Sequence, residues 1–225
     1  MNVYLQLDLL VLALPLVLSF DRKVAFWRKW PQVLAAIVGV LVVFGAWDVW
    51  KTAAEVWGFN PRYAGDVRVL GLPPGEWLFF VVVPYACLFI LECVRAYFRD
   101  RTWHIPRWTV GATAGVFTVL ACCCRGLTYT GTVFLSVAVA VMLLEWGAPT
   151  TLRSRCFWVA MAVTYLPFLI ANGVLTGLPI VWYDDVHILA IRVGSIPLED
   201  FFYSFSMLTL AVVIHDRVGR WRGVA

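Results

Sequence analysis

Two acids in this chain are placed alike, 124 residues apart. Glu76 stands three residues after Pro73 and Asp200 three residues after Pro197, and an apolar, aromatic-rich run follows each. Arg68 and Arg192 precede them at equal spacing, and Asp200 has a second acid, Glu199, beside it. A proline and then an acid make an ordinary helix start, because proline has no N–H to leave unpaired and the acid complements the positive end of the helix. On that reading the two arginines simply pair with the acids. Repetition in register asks for more, because Trp77, Phe79 and Phe80 follow one acid and Phe201, Phe202 and Tyr203 follow the other. A carboxyl in an apolar setting favours its neutral form and can donate a proton. Protonating an alkene is productive only if the resulting cation is stabilised, and aromatic π-faces do this without acting as nucleophiles. A second carboxylate then removes a proton to end the reaction. The set suits acid/base chemistry on an apolar, unsaturated substrate.

The elements that must hold these residues are membrane helices. The chain is 62% hydrophobic and 14% charged, with a mean hydropathy of +0.81. Soluble domains average about 45–50% apolar and about 25% charged, so an all-α integral membrane protein is expected. The net charge of +4 reads as loop asymmetry, with no nucleic-acid partner. Twelve Trp and eight Tyr suit an interfacial belt. Cys122, Cys123 and Cys124 sit in an apolar run and no C-x-x-C occurs, so neither a disulfide framework nor a metal site is expected. His104, His187 and His215 lack metal-ligand spacing, and no Gly-rich phosphate cradle is present, so no cofactor is expected.

Apolar runs near 3–20, 33–50, 76–95, 108–124, 130–146, 157–175 and 198–216 predict seven transmembrane helices. Arg22 and Lys23 follow the first run, the wrong order for a signal peptide, so that run reads as a permanent helix. Thirteen Lys and Arg fall on one side of these spans and five on the other, which predicts the N-terminus outside and the C-terminus cytoplasmic. The expected location is the bacterial cytoplasmic membrane, as a multi-pass protein. The same offset pairs helix one with five, two with six and three with seven, and matches Asp21 to Glu145, Asp48 to Asn172 and Glu92 to Asp216. The architecture expected is therefore two parallel three-helix repeats, residues 1–100 and 127–225, joined by a linking helix within 101–126. Asp48 and Asn172 either line a shared pocket or hydrogen-bond between helices. Glu92 and Asp216, near Arg95 and Arg217, read as ion pairs. The loops 51–75 and 176–197, carrying Trp57, Phe59, Tyr63, Trp182 and Tyr183, are expected to fold onto the membrane surface.

The pattern Pro-x-Glu-(Glu or Asp)-x-x-Phe-Phe, once in each three-helix unit, resembles the integral-membrane lycopene cyclases. In that family the units are separate heterodimer subunits in some bacteria and fused in others and in fungi. The segment Phe79 to Phe89 with Glu92, and Val181-Trp182-Tyr183 leading to Ile196 through Tyr203, are similar to the same family. The resemblance implies a non-redox isomerisation of lycopene. A terminal double bond is protonated, the ring closes, and proton loss leaves a β-ionone ring, giving γ-carotene and then β-carotene. It carries the catalytic roles to Glu199 and Asp200 as the main pair, with Glu76 across the repeat. Asp48, Asn172, Arg68, Arg192, Trp77, Phe79, Phe80, Phe201, Phe202 and Tyr203 are then the residues expected around the substrate. The implied partners are lycopene, the lipid bilayer and other carotenoid-pathway enzymes. This chain departs from the family in having Gly75 where the leading acid usually stands. Among other seven-helix proteins, a retinal protein needs a lysine on its last helix, and the only lysines here are Lys23, Lys29 and Lys51. The alternative is a carotenoid-binding or transport protein without turnover.

Overall fold

The computed structural model describes residues 2–223, and these are mainly helical. Five helices are long and apolar enough to cross a membrane: α2 (Phe26–Ala53), α3 (Pro74–Tyr97), α5 (Thr128–Gly147), α6 (Arg155–Gly177) and α7 (Leu198–Trp221). Two shorter apolar helices, α1 (Val3–Leu18) and α4 (Arg107–Cys123), have 16 and 17 residues. All seven predicted runs are thus helices, but α1 and α4 lie at or below the length of about 17 residues that spanning needs.

Prolines mark the starts where their missing N–H does no harm. Pro73 and Pro197 cap α3 and α7, which places Glu76, Glu199 and Asp200 in first turns. Pro31 sits in the first α-helical turn of α2, which follows a 3-10 turn at Phe26–Lys29. Further along, α2 widens to a π-turn at Leu41–Gly45 before resuming at Ala46. Such bulges re-aim the side chains beyond them, here including Asp48.

Helix α3 packs against α1, α2 and α6, while α7 packs against α2, α3 and α5; α4 lies outermost, chiefly on α5. The two long loops meet through a pair of strands. Strand β1 (Trp57–Phe59) from the first pairs antiparallel with β2 (Val181–Tyr183) from the second, with Gly58 opposite Trp182. A Cβ at Gly58 would stand 2.4 Å from the Trp182 ring, so glycine is what lets the strands meet. Trp57 and Phe59 are buried, and they cap a hydrophobic cluster with Tyr4, Leu72, Tyr129 and Ile180. The larger cluster fills the middle of the bundle around Phe26, Phe89, Leu144 and Phe157.

The other end of the bundle is basic. Arg95 forms a two-pronged pair with Asp216 at 2.8 Å and also reaches Glu92 at 2.9 Å, while Lys29 pairs with Glu92 and Thr151 donates to Asp216. Arg217, expected as an ion-pair partner, donates instead to the backbone of Gly147 and Trp146. Exposed Trp27, Trp103, Trp108, Trp146 and Trp221 ring this end, and Trp50 and Trp182 the other, as an interfacial belt would. Breaking a buried pair leaves an uncompensated charge, at a cost of about 3 kcal/mol or more. Arg95→Met should therefore lower the thermal midpoint of the detergent-solubilised protein clearly, and an unchanged midpoint would show the cluster to be dispensable.

Candidate active site

The helical repeat decides which side chains share a face. On α3 the positions Glu76, Phe79 and Val83 recur at intervals of three or four, and on α7 Asp200, Tyr203 and Met207 do the same. Both faces line one cavity of about 110 Å³, closed at its polar end by the paired loops. Asp48 from α2 and Asn172 from α6 complete that end, so these two face a common pocket. Cavities on the order of 150 Å³ hold a benzene-sized molecule, so the space suits one ring-sized group.

Each acid has a defined partner set. The Tyr4 hydroxyl donates to Glu76 Oε2 at 2.6 Å. Asp200 accepts from Tyr129 at 2.8 Å on one oxygen, and from Asn172 at 2.8 Å and Tyr183 at 2.9 Å on the other. Tyr203 donates to Asp48 at 3.1 Å. Asp48 also lies within hydrogen-bonding reach of Glu76. Burial, with the Asp200 carboxylate next to it, holds the loop phenol of Tyr183 well above its ordinary value, so it stays a donor at neutral pH. A fourth acid, Asp8 on α1, borders the cavity, and its Oδ2 is buried without a hydrogen-bond partner.

Six of the residues singled out by sequence meet at this cavity: Glu76, Asp200, Asp48, Asn172, Phe79 and Tyr203. The others do not line it. Glu199 is rotated by about 100° from Asp200, one helical step. It is buried against α5 and a loop, accepting from Thr130 at 2.5 Å and from the Leu189 N–H at 2.7 Å. Phe80 lies in the main core and Trp77 rests against Gly45, with its indole N–H on the Val69 carbonyl. Phe201 stacks on Tyr165, and Phe202 packs edge-on to Phe117 and Phe134. Arg68 donates to loop carbonyls at Gly65 and Val67, and Arg192 pairs with Asp185; neither bonds to the repeated acids. Their helix-start pairing does not form.

Tyr4, Asp8, Tyr129 and Tyr183 escaped the sequence reading as site residues. Tyr4 and Tyr129 lie one residue off the 124-residue offset, and Asp8 is a lone acid in the first apolar run, so each left a signal. The missing acid at Gly75 also has a steric reason. A Cβ there would lie 2.6 Å from Cγ of Tyr4, the residue that holds Glu76. Gly75→Ala should cost about 1–3 kcal/mol through overpacking, read as a lower thermal midpoint with weakened turnover. A stable, fully active variant would remove this explanation.

The lycopene cyclase family model matches residues 1–94 and 126–218, most of the chain in two stretches. A curated relative, a bifunctional lycopene cyclase/phytoene synthase from Neurospora crassa, is 28% identical over 158 residues. The match covers 65% of this chain and 23% of the relative, so the chain spans under a quarter of that protein's length. No solved structure matches. With its helical membrane bundle and its two matched stretches, the chain belongs to the lycopene cyclase family.

Proposed function

We propose that this protein is a lycopene β-cyclase, an isomerase that closes the ends of lycopene to β-ionone rings without net oxidation or reduction. The observation that carries the reading is the placement of carboxyls from two helix starts on one apolar cavity, each with its own tyrosine donor. The Asp48–Glu76 pair is the proton donor. Carboxylates only accept, so two carboxyls within hydrogen-bonding reach bond to each other only when one carries a proton. Asp200, which accepts three hydrogen bonds, is the base. The proton adds to a terminal double bond, the neighbouring double bond attacks the cationic carbon to close the ring, and a ring proton leaves to Asp200. The formula of the substrate is unchanged. The ring faces of Phe79 and Tyr203 stabilise the cation between the two steps.

The architecture we propose is seven spans in two parallel three-helix units, 1–100 and 127–225, linked by α4. The contacts support it: α1–α3 has its counterpart in α5–α7, and α2–α7 in α3–α6. Gly58 and Trp182, which face each other in the strand pair, are themselves 124 residues apart. The basic end, by its charge, faces the cytoplasm, and the acids lie toward the outer leaflet of the bacterial cytoplasmic membrane. Glu199 is a positioning residue in this account, tying the start of α5, and with it Tyr129, to α7.

Expression in lycopene-accumulating bacteria, with the pigments resolved by chromatography, tests the reading. Cyclised product is expected from the parent, with a loss of at least about 100-fold in Asp200→Asn and Glu76→Gln, the range of general acid/base contributions. Glu199→Gln should retain measurable turnover. Unchanged lycopene from well-expressed parent protein would refute cyclisation and favour carotenoid binding without turnover.

A further inference from the structure

The cavity is not closed on all sides. Along α3 it runs from Glu76 to Ile90, a rise of about 20 Å at roughly 1.5 Å per residue. Its flank lies between α1 and α6, which touch only lightly. Pro167 of α6 lines it yet is exposed, and Val11 and Ala171 on either side are half-buried. In a bilayer that exposure faces lipid.

The matching groove in the other unit would lie between α5 and α2. The position equivalent to Ala171 is Trp47. Its ring stacks on Phe44 at 5.5 Å and leans on Tyr203 at 5.4 Å. A methyl group on one side is thus an indole on the other.

We propose that the polyene enters sideways from the bilayer, reacting end first, through a single portal between α1 and α6 that Ala171 keeps open. Trp47 closes the pseudo-equivalent route. One end is held at a time, and a second cyclisation requires the molecule to leave, turn and re-enter. This rests on the cyclase reading and on the proposed repeat. An apolar occupant follows from the lining, which beyond the acids is mostly apolar and includes Val83, Cys87, Ile90 and Met207. An extended chain also follows from the shape, which is longer than a ring.

The test uses a matched set of tryptophans and one thiol. Ala171→Trp and Val11→Trp should each lower cyclised product at least tenfold in lycopene-accumulating cells. Leu135→Trp, at the position equivalent to Val11 on the closed side, should leave product unchanged. Parental turnover in both portal variants would overturn the proposal. Because a bulky variant can fail to fold, the second readout uses the parental fold with Cys87 kept and the other five cysteines replaced by alanine. Membrane-embedded protein is treated with a lipophilic maleimide, with and without lycopene. Lycopene should slow Cys87 modification at least fivefold, and an equal rate would overturn the portal. Protection in a protein that forms no product would keep the portal and remove the cyclisation. Product formed with Cys87 unprotected would do the reverse.

Discussion

An ionisable group held away from water costs several kcal/mol unless it is neutral or well hydrogen-bonded. This chain places Asp8, Asp48, Glu76 and Asp200 around one apolar cavity, and much of the surrounding structure answers that cost. Tyrosines reach the acids from α1, α5, α7 and the second loop, so helices distant in sequence are tied together by hydrogen bonds to these carboxyls. Residual polarity is left where Asp8 stays unpartnered.

The paired strands make the same constraint local. Two loops from opposite halves meet over the acids, burying Trp57 and Phe59 and bringing Tyr183 down onto Asp200. They cover the polar end of the cavity, which strengthens each electrostatic contact inside it and, on the proposed reaction, would protect a cationic intermediate from capture. Openness is left to the flank between α1 and α6, the side the proposed substrate would enter from. The division between a dry polar end and an open apolar side follows from which helices pack tightly and which do not.

Much of this was legible in the residue pattern, and the failures are equally specific. Apolar run length revealed the helices, and the shared offset of Glu76 with Asp200 and Asp48 with Asn172 pointed to four residues that do meet. The aromatics after each acid form one group in sequence, but a helix turns by about 100° per residue and only every third or fourth faces one way. Phe79 and Tyr203 therefore line the cavity while Trp77, Phe80, Phe201 and Phe202 pack elsewhere. Glu199 was placed beside Asp200 by adjacency and lies on another face for the same reason. The strand pair between the loops was not legible, because pairing between residues 124 apart has no local signal, and Gly58 is informative only once Trp182 stands against it.

On the proposed mechanism an enzyme proton is added to the polyene and a substrate proton is removed, with no electrons exchanged. Mass spectrometry of carotenoid formed by the purified protein in deuterium oxide tests this most directly. A single deuterium for each ring closed, and no other change in composition, is expected. Rings without deuterium, or a product heavier by an added pair of hydrogens, would contradict it.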